Sequence, residues 1–167
     1  IIVFTFFSHP LLAEIEVGSS EFFAAQREMI ERKPSIKRCY NLWYDKLIRD
    51  AETVADNQRE APAVELGSGS SYVRTRYPNI ITSDIEKGDV DVVFDGRSLP
   101  FADESVKALL LIHVFHHIPD VEAFLREAVR VLVPGGVVSM VDETHTPFAR
   151  LFFSKFHPER YDDKTSS

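Results

Sequence analysis

Only one cysteine, Cys39, occurs in 167 residues, so an internal disulfide is impossible and the fold must rest on packing. A lone thiol fits a reducing compartment; the expected location is cytoplasmic and the expected role of Cys39 is a buried structural one. Basic residues are in deficit, 19 Lys and Arg against 26 Asp and Glu, giving a net charge of -7 and a pI near 5.4. The chain lacks the positive field that non-specific nucleic-acid binding needs, so no nucleic-acid partner is expected. Long apolar runs are missing too. The opening IIVFTFF is far shorter than a bilayer span and no basic residue precedes it, which predicts a packed terminal segment and no membrane span.

What is present suits one globular domain with a real core: 44% hydrophobic and 27% charged residues, with no internal repeat or low-complexity tract. The first sixty residues read as a helical cover. Ser19 or Ser20 can cap a helix through Glu31, and Pro34 starts a second helix. In that second helix Ile36, Tyr40, Trp43, Tyr44, Leu47 and Ile48 recur at helical spacing, a stripe expected to pack. After a polar connector, 57–62, short apolar runs begin at 63–66, 80–83, 90–94, 108–112 and 137–141, each a candidate strand. Helical candidates lie between them at 70–77, 115–118 and 121–132, the last closed by Pro134-Gly135-Gly136. Strands alternating with helices predict an α/β fold, a Rossmann-like doubly wound and mainly parallel sheet with helices on both faces. The expected organisation is a cover over 1–60, a core over 61–145 and a Phe-rich segment over 146–167 within a single domain.

The stretch AVELGSGSSYVRTRYPNIITSDIE, 63–86, carries the chemistry. A strand ending at Leu66 that turns through Gly67-Ser68-Gly69-Ser70 brings bare backbone to the carboxyl edge of the sheet, where ligands bind in such folds. Asp84 follows the first glycine at the spacing of a ribose-binding acid. Glu65, two residues before that glycine, could receive a cationic or hydroxyl group but would be unwelcome beside a pyrophosphate. Asp95 ends the next strand and leads into Gly96-Arg97-Ser98-Leu99-Pro100-Phe101, a loop suited to an adenine ring.

These residues resemble the class I S-adenosylmethionine-dependent methyltransferases, in particular the type 11-like group that acts on small molecules. Glu65-Leu66-Gly67-Ser68-Gly69-Ser70-Ser71 is similar to the family's acidic-x-Gly-x-Gly-x-Gly motif, with Ser71 in place of the last glycine and a slightly wider turn expected. Asp84, Asp95 with Leu99-Pro100-Phe101, His113–Pro119 (HVFHHIP) and Arg130–Gly136 (RVLVPGG) match four further segments, so the resemblance covers 63–143. It implies S-adenosyl-L-methionine as cofactor, S-adenosyl-L-homocysteine as product, and methyl transfer to an oxygen, nitrogen or carbon nucleophile. The implied cofactor contacts are Glu65 to the methionyl amine, Asp84 to the ribose hydroxyls and Asp95 with its loop to adenine, joined by Gly67, Ser68, Gly69, Ile85, Gly96, Ser98, Leu99 and His113. KPSIKRCYNLWYDKL and the late His157-Pro158-Glu159 resemble a subgroup found near polysaccharide-biosynthesis enzymes, which adds a saccharide to the small molecules expected as acceptor.

No catalytic residue is assigned. His116 or His117 could act as a general base, and Asp142, Glu143 and His145, at the end of the fifth strand, could face an acceptor. His113, His116 and His117 could share a helix face, yet no Cys or carboxylate set completes a metal site, so no metal is expected. Phenylalanines crowd both ends, Phe4, Phe6, Phe7, Phe22 and Phe23 in one part and Phe148, Phe152, Phe153 and Phe156 in the other. Core packing is the plain reading; a lid, a homodimer surface or an apolar acceptor pocket are the others. The family's usual last two strands have little after Val141 to build them, so the chain is expected to be truncated or reduced there. Two alternatives stay open: a non-catalytic Rossmann-like module that keeps cofactor or partner binding, and a nucleotide-dependent oxidoreductase, which would leave Glu65 and Asp95 unexplained.

Overall fold

A computed structural model of the chain describes residues 15, 16 and 19–142. Two helices come first. The Ser19 side chain accepts the Phe22 N–H at 3.1 Å and so starts α1, Ser20–Arg32. Lys33 is extended and Pro34 occupies the first position of α2, Pro34–Ala51, where its missing N–H costs nothing. Five strands follow: β1 Ala63–Leu66, β2 Ile81–Asp84, β3 Val92–Val93, β4 Val106–Ile112 and β5 Leu132–Val141. They form one sheet in the order β3-β2-β1-β4-β5, with every neighbouring pair parallel. The last helix, α3, Val121–Val131, is capped by Asp120, whose carboxylate accepts the Ala123 N–H at 2.9 Å.

The period of two along each strand sorts the core into two layers. Ala63 of β1 with Ala108 and Leu110 of β4 face α2, meeting Tyr44, Leu47 and Ala51. Val64, Leu66, Leu109 and Leu111 face the other way onto Phe124, Ala128 and Val131 of α3. Helices therefore cover both faces, as a parallel sheet requires. Because the chain builds β2 and β3 outward from one side of β1 and then returns to place β4 on the other, the direction of winding reverses between β1 and β4. That reversal opens a crevice at the carboxyl ends of the strands.

Four local expectations need correction. The segment 70–77 is a single turn of 3₁₀ helix, Tyr72–Thr75, because Ser71 sits in the left-handed region at φ 52° and interrupts any regular helix there. Residues 115–118 likewise form only a 3₁₀ turn, Phe115–His117. The third strand shrinks to Val92–Val93, since the Asp91 carboxylate before it takes the Thr82 N–H and hydroxyl. Pro134-Gly135-Gly136 does not follow a finished helix as a free turn. β5 begins at Leu132 beside Val106, and the ladder resumes only at Val137 beside Ala108, so Val133–Gly136 bulge out opposite Lys107 with Gly135 at φ 82°. The N-terminal apolar run, Glu143, His145, the C-terminal phenylalanines and any strand after β5 lie outside the described residues.

Candidate functional site

A cleft of about 440 Å³, a size usual for small-ligand sites, opens at that crevice. Its floor is the turn after β1. Gly67, at φ +61°, could not carry a side chain, because a Cβ there would lie 2.4 Å from Val114 Cγ2. Gly69, at φ +50°, has open space where its side chain would be, so a ligand can come against bare backbone. Ser68 is buried: its N–H donates to Ser83 O at 2.8 Å, its hydroxyl to Glu65 O at 3.2 Å. Ser71, which replaces a glycine in the resemblance, keeps the glycine-like backbone and is held by a hydroxyl bond to Asp89 O.

Glu65 lies on the same side of β1 as Ala63, which turns its carboxylate toward α2 beneath the cleft. There Tyr44 donates its hydroxyl to Oε1 at 2.7 Å, while Oε2 is buried with no hydrogen-bond partner. Burial, opposed by the Tyr44 hydrogen bond, pushes the Glu65 carboxyl up to about 7. The same burial, together with the neighbouring carboxylate, holds the Tyr44 phenol well above its ordinary range. A buried carboxylate oxygen without a donor costs free energy unless something positive or hydrogen-bearing meets it. The fit to a ligand ammonium therefore rests on a physical vacancy in the bonding of Oε2 and not on motif alone.

The opposite wall comes from the ends of β2 and β3. Asp84 accepts the Gly69 N–H at 3.0 Å through Oδ2 and stands on the cleft with Ile85, which is 63% exposed beside it. An exposed isoleucine next to a carboxylate offers an apolar face and an acceptor side by side, as a nucleoside demands. Phe94, Asp95 and Gly96 continue the wall. The Asp95 carboxylate, however, is already gripped by Arg97, whose guanidinium donates to both its oxygens and whose N–H donates at 2.9 Å. Those bonds hold the Asp95 carboxyl down to about 2.

Not every expected residue reaches the cleft. Leu99 is buried in the core under α3; its N–H donates to Glu127 Oε2 at 2.8 Å and its carbonyl accepts from Arg130 at 2.9 Å. Ser98 beside it is exposed and does not line the cleft. His113, in the left-handed region at φ 54°, rests its ring edge against Trp43 at 5.3 Å, behind the cleft wall. The three histidines share no helix face. His116 has its Nδ1 2.6 Å from Asp142 Oδ1, its ring lies tilted against that of His117 with centroids 4.0 Å apart, and of these His117 lines the cleft. A carboxylate that fixes one imidazole nitrogen leaves the other oriented for proton transfer. Among the described residues, no group of three or more His, Cys, Asp or Glu is arranged to hold a metal ion. Cys39, expected to be buried, is exposed and on the cleft, because position 39 of α2 faces away from the sheet.

Composition and spacing gave no hint of three contributions. Arg27 of α1 donates to Ser70 O at 2.6 Å and pairs with Asp89 at 2.8 Å, which straps the first helix over the glycine turn. Phe23 closes against Gly88, where an added Cβ would meet its ring at 2.5 Å. Glu127 and Arg130 tie the loop after Asp95 to α3. Each joins segments far apart in the chain, so no local pattern announces it.

Residues 64–140 match a family described as a methyltransferase domain. Over this segment the chain is similar to S-adenosylmethionine-dependent methyltransferases. Demethylmenaquinone methyltransferase of Corynebacterium efficiens is 44% identical over 61 residues, covering 36% of this chain and 26% of that protein. Phthiotriol/phenolphthiotriol dimycocerosates methyltransferase 1 of Mycobacterium ulcerans is 34% identical over 91 residues, covering 46% of this chain and 34% of that one. The matched stretch thus spans about a quarter to a third of these methyltransferases' own length. Among solved structures, the YcgJ protein of Bacillus subtilis superposes with a TM-score of 0.50 at 21% identity, over 68% of this chain and 56% of that one, a likeness of fold. No helix among the described residues is long and apolar enough to cross a membrane.

Proposed function

We propose that the chain binds S-adenosylmethionine in this cleft and transfers its methyl group to an oxygen, nitrogen or carbon nucleophile of a small molecule. The observation that carries the reading is Glu65 Oε2, buried, without a donor, beneath two glycines of positive φ. The ammonium of a methionyl group satisfies such an oxygen; a pyrophosphate would repel it, which disfavours a nicotinamide or flavin dinucleotide. When bound, S-adenosylmethionine supplies a methyl carbon on a sulfonium sulfur, which an acceptor takes by in-line displacement to leave S-adenosylhomocysteine.

The chain's own part is to bind, align and exclude water. Glu65 holds the amine, with Tyr44 fixing the carboxylate's orientation. Gly67, Ser68 and Gly69 cradle the amino-acid end with backbone. Asp84 takes the ribose hydroxyls, and Ile85 with Phe94, Asp95 and Gly96 flanks the adenine. Alignment alone can supply much of the rate in a displacement of this kind, so a dedicated base is not required. His117, with His116 and Asp142 behind it, stands ready for an acceptor whose proton must leave. The relatives are named for different acceptors, demethylmenaquinone and phthiotriol dimycocerosates, which supports reading the shared segment as the cofactor half of the chemistry.

Calorimetric titration of the purified chain with S-adenosylmethionine, S-adenosylhomocysteine and NADH tests the reading. Micromolar binding of the first two without the third is the expected result. NADH binding with neither adenosyl-sulfur compound would turn the assignment to an oxidoreductase.

A further inference from the structure

The cofactor groups occupy one side of the cleft; the other side is walled by helices, and its chemistry is of one kind. Phe22 and Met29 of α1 and Ile36, Cys39, Tyr40 and Trp43 of α2 face the cavity, and no charged side chain of either helix does. Charge is not scarce on these helices. Glu31 pairs with Lys37, Glu28 with Arg32 and Lys46 with Asp50, and none of these lines the cleft. The ionisable carboxylates on the cleft, Glu65, Asp84, Glu86 and Asp95, belong to the strand ends. In a chain with 27% charged residues, a wall cleared of charge is a selective surface.

From this wall we infer the acceptor class: an uncharged molecule with an apolar, aromatic body, held between the helices. The inference rests on the cofactor reading above and adds the identity of the second substrate. A charged acceptor against that wall would lose its hydration with no partner in return. A saccharide would present a ring of hydroxyls to a surface whose polar side chains are few, chiefly Gln26, Ser35 and the Tyr40 hydroxyl. A flat aromatic body instead meets Trp43 and Tyr40, whose rings stand edge to face at 5.3 Å and leave the Trp43 indole half-exposed to the cavity.

Trp43 is the single tryptophan of the chain, so its emission reports on this wall directly. The test is titration of the full chain, first with S-adenosylhomocysteine and then, with that compound saturating, with 1-naphthol, 1-naphthoate and methyl α-glucoside. Calorimetry measures each affinity and Trp43 emission locates the contact. We expect 1-naphthol to bind at least tenfold more tightly than either competitor and to change Trp43 emission. Cys39 is exposed, so Cys39→Glu places a carboxylate on the wall without touching the core; it should weaken 1-naphthol at least tenfold and leave S-adenosylhomocysteine affinity unchanged. Naphthoate or glucoside binding as well as naphthol, or naphthol unaffected by Cys39→Glu, overturns the acceptor class while the cofactor reading stands. Absent binding of S-adenosylhomocysteine in the first titration overturns the cofactor reading instead. Naphthol titrated alone then still decides whether the wall prefers an uncharged aromatic body.

Discussion

At the scale of single residues, Glu65 is expected to couple stability to the cofactor binding proposed for it. Its carboxyl titrates near 7 in the folded chain against an ordinary 4.5, because burial penalises the charge. Between those values the folded chain holds a proton that the unfolded chain has released, so stability falls as pH rises through the window, by up to about 1.4 kcal/mol per pH unit, and levels off above it. Glu65→Gln removes that slope. In urea unfolding the glutamine variant should gain on the wild type from pH 5 to 7 and keep its lead at pH 8; a difference independent of pH would mean that the carboxyl is not buried. S-adenosylhomocysteine should show the opposite trend, binding wild type more tightly as pH rises to 7, because its ammonium favours the ionised carboxylate. Asp84 acts more simply. Asp84→Ala should weaken S-adenosylhomocysteine by about 1–3 kcal/mol, through loss of a charged acceptor for the ribose hydroxyls and of the bond that holds Gly69 N–H. Unchanged calorimetric affinity in a folded variant would take Asp84 out of the site.

At the scale of elements, the connections that hold the site are longer in sequence than the motifs that announce it. The glycine turn, the Ser19 cap, the Pro34 helix start and the buried run of β1 were legible because each depends on neighbours within a few residues. The sorting of β1 and β4 into two layers was not legible, because strands buried on both faces read as continuous apolar runs without alternation. What stayed hidden was settled by partners elsewhere: Ser71 takes a glycine-like conformation because Asp89 O holds its hydroxyl, and Asp95 spends its carboxylate on Arg97. Leu99 turns inward because Glu127, 28 residues on, accepts its N–H. Within α3, Arg130 then closes the same loop, donating to Leu99 O and Phe101 O while pairing with Glu127 and Asp103. Arg130→Ala takes the donor from two backbone carbonyls and from two carboxylates, Glu127 and Asp103, at once. It should cost roughly 1–3 kcal/mol in urea unfolding and also weaken S-adenosylhomocysteine, since the Asp95–Gly96 wall begins the loop it anchors. A loss of stability with cofactor affinity intact would show that the loop is a strut only.

At the scale of the molecule, the sheet and the cover have different attachments. The sheet is a parallel ladder interrupted at the β5 bulge and covered on both faces, whereas α1 reaches the rest through α2, the buried Ile30, the Arg27 strap, the Phe23–Gly88 contact and the Tyr72 hydroxyl on Glu31. Polar straps with partly exposed partners contribute little each, so α1, rather than α2 with its Tyr44, Leu47 and Ala51 in the core, is the helix expected to open at the lower free-energy cost. A ligand held between the cover and the strand ends must therefore stabilise the whole chain and quiet α1 most. At a hundredfold excess over its dissociation constant, S-adenosylhomocysteine adds about 2.7 kcal/mol by mass action, which for a chain of this length raises Tm by about 5–10 °C. NADH at the same concentration should leave Tm where it is. Amide exchange should slow throughout, with the largest protection in α1, because its openings are the ones the ligand blocks. Equal protection of α1 and α3 would mean that cofactor binding does not draw on the cover, and that the first helix belongs to the acceptor side alone.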